Sequence, residues 1–306
     1  MSSNISQLND FEILFFDVYG TLCDWETGIC DGLKPLLSRF SISSKWTRKE
    51  ALEAFTAIEA DLQAKHPQLL YRDLLAKAHE VMEERLKAAS GKPVDTTTLE
   101  GDPNTITSTS GSSSSNADSS SPNAHVLFGS SIKDWPLFPD TVDALQKLSQ
   151  RYKLCVLSNV DRASFSYTLA KLSGDSSHPE RYQPPSEGYW FPQEAPGSKS
   201  PFTLILTAQD VGTYKPDPNG FECALKVVAS DPRHFGTGGD KDAKERVLWV
   251  AQSLFHDVHP VSKIGVQSAW IDRKGAVMGL NVEPVGYSWK ADTLGELAEM
   301  VEKESK

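Results

Sequence analysis

The sequence predicts an α/β protein built on a parallel sheet and interrupted by a helical segment. Two observations carry this. Four short apolar, β-prone runs occur in the 306 residues, and polar residues follow each one directly. They lie in FEILFFDVYGTLCD (residues 11–24), LCVLSN (154–159), LILTAQDVGTYKPDP (204–218) and VLWVAQSLFHD (247–257). Unbroken apolar runs of this length suit strands buried on both faces, as in parallel sheets. The second observation is a long stretch of helical periodicity placed straight after the first run.

In such sheets, ligands sit outside the carboxyl ends of the strands. Asp17, Ser158, Lys215 and Asp257 each lie at or just beyond the end of a run. If the strands are neighbours, the four converge on one crevice. Gly20 and Thr21 break the pattern after Asp17 and form a turn whose backbone amides can hold negative charge.

The helical stretch is read element by element. Residues 28–40 carry Ile29, Leu33, Leu36, Leu37 and Phe40 at helical spacing. Residues 47–65 open with Thr47 and Glu50, a capping-box pair, and continue with Leu52, Phe55, Ile58 and Leu62. Pro67 ends that helix, and residues 69–86 form another. Residues 91–123, with SSSSN and SSS, hold almost no apolar side chains and are expected to be a disordered loop. The chain returns to the core at IKDWPLFP (132–139), followed by helices at 141–152 and 161–172. Residues 173–201 are expected to be a long surface loop, and residues 230–245 a charged, glycine-rich insert. A helix covers 219–229, a strand closes at 270–272, and a solvated helix covers 292–303.

Composition narrows the function. The net charge of −10 and pI near 5.2 argue against nucleic acid or an anionic membrane as partner. No run approaches 18 apolar residues, so no membrane span is expected. The first ten residues lack the apolar core of a secretory signal. Cys23, Cys30, Cys155 and Cys223 show no metal-binding spacing, and Cys155 reads as a core residue. A cytoplasmic protein with reduced thiols is expected.

The ordered set of Asp17, Ser158, Lys215 and Asp257 resembles the signature of the haloacid dehalogenase (HAD) superfamily. DVYGTL, the Ser158–Asn159 pair, YKPD at 214–217 and the W-I-x-R at 270–273 are similar to its L-2-haloacid dehalogenase branch. Phosphatases of the superfamily usually carry an acid/base Asp where Tyr19 stands here. The resemblance departs from characterised bacterial dehalogenases at Leu254, where an Asn is expected, and at Phe221, where a Tyr is expected.

The resemblance implies a Rossmann-like three-layer core formed by residues 1–22 and 132–306. It implies a helical cap at 23–90, with residues 91–131 as the Ser-rich insert and return. It implies Asp17 as nucleophile, Lys215 and Asp257 as catalytic partners, and Tyr19, Thr21, Ser158 and Asn159 around the substrate. Arg48 is the nearest match to the cap arginine that dehalogenases place near the halide. His256 is expected to point away from the crevice. The implied activity is that of a (S)-2-haloacid dehalogenase, acting on a small anionic substrate without a cofactor. A Mg²⁺-dependent phosphatase, with Asp17 and Asp257 on the metal, is the alternative. A binding or regulatory protein derived from an enzyme is a third reading, separated from both by turnover. A homodimer is left open.

Overall fold

In a computed structural model, residues 6–91, 123–280 and 286–305 are described. Six parallel strands form one sheet in the order β3-β2-β1-β4-β5-β6. They are β1 (Ile13–Phe16), β2 (Lys153–Ser158), β3 (Phe202–Thr207), β4 (Val247–Ala251), β5 (Gln267–Ile271) and β6 (Trp289–Ala291). β1 pairs with both β2 and β4, so Asp17 leaves the middle of the sheet. Its four residues are all buried. Side chains alternate across a strand, and Ile13 and Phe15 enter one core while Leu14 and Phe16 enter the other. Phe15 stacks on Trp249 of β4 with ring centroids 5.1 Å apart.

The helices follow from local signals. α1 (Trp25–Leu37) is capped by Asp24, whose carboxylate accepts from the Thr27 amide. α2 (Arg48–Lys65) begins with the expected capping box, Thr47 and Glu50 each bonding the other's backbone. α3 (Tyr71–Ala89) follows, then α4 (Ala124–Gly129), α5 (Thr141–Ser149) and α6 (Arg162–Leu172). Beyond β3 come α7 (Ala208–Val211), α8 (Pro218–Ser230), α9 (Pro232–Phe235), α10 (Ala243–Arg246), α11 (His259–Lys263) and α12 (Leu294–Glu304). Pro218 at the first position of α8, behind the Asp217 cap, is placed where its missing N–H costs nothing.

α1 to α3 bury Leu33, Leu52, Phe55, Leu74 and Met82 in the same core that receives the sheet. Short bonds tie this helical layer to the strand ends. The Tyr214 hydroxyl donates to the Leu69 carbonyl at 2.6 Å, and the Arg72 amide donates to Asp161 at 3.2 Å.

Several expectations need correction. Within residues 91–131, part of the stretch is α4, which sets His125 and Phe128 against His79 of α3. The Ser-rich residues 92–122 lie outside the described residues. Residues 173–201 are not a surface loop throughout, because Tyr182 and Trp190 are buried. The Ile205 amide donates to the Trp190 carbonyl, so this segment covers the open edge of β3. The insert at 230–245, as expected charged and glycine-rich, holds α9 and the start of α10. α12 is not wholly solvated, since Leu294, Leu297, Ala298 and Val301 are buried. β6, too short and polar to show in the sequence, extends the other sheet edge. Among the described residues no helix is long and apolar enough to cross a membrane.

Gly28 of α1 faces the indole of Trp135 so closely that an added Cβ would overlap the ring. Trp135 is buried and touches Tyr19 edge-on at 5.4 Å. Gly28→Ala should therefore destabilise the protein by about 1–3 kcal/mol, despite alanine's better helix propensity. Chemical denaturation checks this, and a stabilised variant would contradict the packing.

Candidate active site

The site forms where β1, β2 and β4 end. Asp17 is the first residue past β1, and its amide still bonds the Val250 carbonyl of β4. The next turn needs Gly20, with φ +105° and little room for a Cβ between Gln252 and Trp25. That turn brings Thr21 back, and its hydroxyl donates to Asp17 Oδ2 at 2.6 Å. The Gln252 amide donates to the same hydroxyl oxygen at 2.8 Å, which fixes the proton's direction. Arg273, buried beyond β5, donates twice to the Thr21 carbonyl and once to Asp140. The loop is thus held from both sides.

Lys215 Nζ lies between two carboxylates, 2.7 Å from Asp17 Oδ1 and 2.8 Å from Asp257 Oδ1. It also donates to the Leu157 carbonyl at 3.0 Å. Burial works against the ammonium, but Asp17 and Asp257 outweigh it and hold Lys215 above its ordinary value. Burial pushes Asp257 up to about 7, against the pull of Lys215. Trp249 Nε1 donates to the oxygen that Lys215 holds, while Asp257 Oδ2 is buried without a partner among the described residues. Lys215 is positioned by Asn159, whose side chain bonds both its backbone N–H and its carbonyl.

A cavity of about 470 Å³ opens above these groups. Asp17, Lys215 and Asp257 line its floor with Tyr19 and Asn159. α2 forms its roof with Glu53, Thr56, Glu59 and Gln63. The structure therefore brings Asp17, Tyr19, Asn159, Lys215 and Asp257 together at one cavity. Thr21 lies behind Asp17, and Ser158 is buried at the end of β2 with an unpartnered hydroxyl. Arg48 is not brought to the cavity. It bonds Thr27 and pairs with Asp24 and Glu26 at the start of α1. Leu254 and Phe221 also lie outside the lining, with Phe221 packed on Trp249.

Three residues at the site escaped the sequence reading. His256 lines the cavity because residues Leu254–Val258 form a π-helical turn, which turns His256 and Asp257 to the same side. Burial first, then the Lys215 charge, lowers its imidazole to about 4, so it is neutral near pH 7. Trp249 holds Asp257 from within a strand and reads in sequence as core alone. Glu59 of α2 is the third. Burial raises its carboxyl to about 7, against the hydrogen bond that Tyr71 donates to Oε1 at 2.7 Å.

A parallel α/β core carries a helical roof and a carboxylate–ammonium–carboxylate set at the central strand ends. A family profile described as haloacid dehalogenase-like hydrolase matches residues 11–235. The chain belongs to that family. Among solved structures, it is similar to the L-2-haloacid dehalogenase PA0810, at 16% identity and TM-score 0.57, covering 95% of this chain and 99% of that one. It is similar to the L-2-haloacid dehalogenase of Xanthobacter autotrophicus with chloropropionic acid covalently bound, at 13% identity and TM-score 0.58, over 95% and 98% of the two chains. A putative HAD-hydrolase, YfnB from Bacillus subtilis, bound to magnesium, is similar at 14% identity and TM-score 0.55, over 95% and 99%. No curated protein matches the chain in sequence.

The raised Glu59 carboxyl gives a signed prediction. Unfolded, Glu59 titrates near 4.5, and folded near 7. The folded state favours the protonated form, so this contribution is complete below the unfolded value and is lost as pH rises through about 7. Glu59→Gln stays neutral at every pH. It should raise the melting temperature at pH 8 by about 2–8 °C, for roughly 1–3 kcal/mol, and change it little at pH 4.5. An equal shift at both pH values would contradict the burial of this charge.

Proposed function

We propose that the protein is a hydrolase that displaces halide from a (S)-2-haloacid through an ester on Asp17. The observation that carries this reading is Tyr19. It stands two residues after the nucleophile candidate, where a proton donor to the leaving group is needed for alkoxide departure. Its phenol instead bonds Thr168 Oγ1 at 2.8 Å, and burial pushes its pKa well above the ordinary value. Halide leaves carbon without taking a proton, so it suits such a site.

In this reading Asp17 attacks C2 from the side opposite the carbon–halogen bond, and the bonding pair leaves with the halide. The new bond is an ester between an Asp17 oxygen and C2, with configuration inverted. Water then attacks the Asp17 carbonyl carbon. The ester's acyl–oxygen bond breaks, and the product 2-hydroxy acid carries the oxygen that Asp17 supplied. Lys215 and Thr21, donating to its two oxygens, hold the nucleophile in line. Asp257, among the residues lining the cavity floor, balances Lys215 and can accept a proton from the attacking water. The substrate carboxylate finds donors at the floor in the amides of Val18 and Tyr19, which donate to no backbone carbonyl among the described residues, whereas Ser158 is buried at the end of β2 and does not line the cavity.

The phosphatase alternative places Mg²⁺ on Asp17 and Asp257. Their inner oxygens already share the Lys215 ammonium, and Gln252 and Ser253 stand where a further carboxylate would complete the donor set. Gln252 Nε2 is in addition bonded to the Met278 carbonyl. The residues present fit a resident divalent ion poorly.

A panel of 2-haloacids and phosphate esters, run with and without EDTA, tests the reading. Turnover of a (S)-2-haloacid that survives EDTA is expected, and Asp17→Asn should lower it by roughly 10⁴-fold or more while circular dichroism stays native. Activity lost with EDTA and restored by Mg²⁺, together with phosphate ester hydrolysis, would replace the dehalogenase with a phosphatase. A folded Asp17→Asn variant of near-native rate would remove Asp17 as nucleophile.

A further inference from the structure

The charge of the cavity is uneven from floor to roof. At the floor, Lys215 is the one ammonium lining the cavity among the described residues, and Asp17 and Asp257 already flank it. At the roof, α2 turns Glu53 and Glu59 toward the same space, with Thr56 and Gln63 beside them. No arginine lines the cavity among the described residues, because Arg48 is bound at the start of α1. His256 faces the cavity as a neutral ring at pH 7.

Glu59 is the best defined of the roof groups. Tyr71, one helix away, donates its hydroxyl to Glu59 Oε1 at 2.7 Å, and it lines the cavity as well. Tyr71 itself is set by the tether between residues 69–72 and the core, where Tyr214 and Asp161 bond the Leu69 carbonyl and the Arg72 amide. Oε2 takes no protein donor among the described residues. A partly buried carboxylate with one oriented oxygen and one open oxygen lacks a cation that its surroundings do not supply.

We infer that Glu59 is a specificity residue that recognises a positively charged amine on the end of the substrate remote from the reacting carbon. This rests on the dehalogenase reading for the floor and adds a substrate class to it, 2-haloacids whose side chain ends in an ammonium group. The substrate carboxylate goes to the donors at the floor, and its ammonium goes to Glu59 under α2. An ammonium donates to the open oxygen while Tyr71 keeps the other one occupied. A purely aliphatic tail leaves the Glu59 charge uncompensated in a space from which it displaces water. A second carboxylate in the tail meets the like charge of Glu59 at the roof, where Glu53 is already paired with Lys49.

The test measures binding apart from chemistry. Asp17→Asn protein, which cannot form the ester, is titrated calorimetrically at pH 8 with the ω-amino series from 2-chloro-4-aminobutanoate to 2-chloro-6-aminohexanoate. Each is compared with its isostere ending in methyl and its analogue ending in hydroxyl. The same titrations are repeated with Glu59→Gln added. The best amine should bind at least ten-fold more tightly than both of its partners, and Glu59→Gln should reduce that ratio to near one. Glu59→Asp, which withdraws the carboxylate by one methylene, should reduce the ratio in part and serves if the Gln variant does not fold. Equal affinities across the three tails, a hydroxyl as good as the amine, or a preference that survives Glu59→Gln overturns the assignment. Turnover by the unsubstituted protein is read separately. A Glu59-dependent amine preference without dehalogenation of any member removes the dehalogenase reading and leaves the amine site standing.

Discussion

The structure depends on a single buried ion set, Lys215 between Asp17 and Asp257. Two carboxylates and one ammonium are buried together at the cavity floor. Removing such charges from water costs several kcal/mol each, and their attraction repays this only with good geometry and further hydrogen bonds. Here those bonds are present, from Thr21 to Asp17, from Trp249 to Asp257, and from Lys215 to the Leu157 carbonyl. The three residues are far apart in the chain, and only the order of the strands brings them together. β1 contributes Asp17, the segment after β3 contributes Lys215, and the turn after β4 contributes Asp257. The positions of β2 and β4 on either side of β1 are therefore a condition of the site as well as of the core.

The same ion set explains why so much of the surrounding chain is tied down. Asn159 holds the Lys215 backbone from both its N–H and its carbonyl. Arg273 clamps the turn that carries Thr21, and Trp270 Nε1 bonds the Gln252 carbonyl beside it. The proposed reaction needs the Asp17 carboxylate held without swinging, and Lys215 and Thr21 each donate to one of its oxygens. The helical roof is tethered to the same strand ends through Tyr214, which neighbours Lys215 in sequence.

The strands were legible because their apolar runs end abruptly in polar residues, and the register of the sheet does the rest. Asp17, Lys215 and Asp257 could be picked out by position alone. α2 announced its start through Thr47 and Glu50. Other features left no such mark. Glu59 adjoins Ile58 on a helix whose 3.6-residue period separates core from not-core but cannot tell a cavity from solvent. His256 depends on a π-helical turn, which has no sequence pattern, so its expected direction was wrong. Arg48 looked suitable for the cavity by charge and helix position. Its guanidinium instead meets Asp24, Glu26 and Thr27, a local acidic group that linear spacing does not reveal. Tyr182 and Trp190 sat in a stretch rich in Pro and Gly, where burial over a strand edge cannot be read from composition.

The central claim is that Asp17 becomes covalently bound to substrate. A single turnover of excess enzyme on a (S)-2-haloacid in ¹⁸O-water examines it directly. The account predicts that the hydroxyl of the product carries unlabelled oxygen and that the label appears in the Asp17 carboxylate of the recovered protein. Label in the product hydroxyl after that first turnover, with none in Asp17, would show that water attacks the substrate itself and would contradict the account.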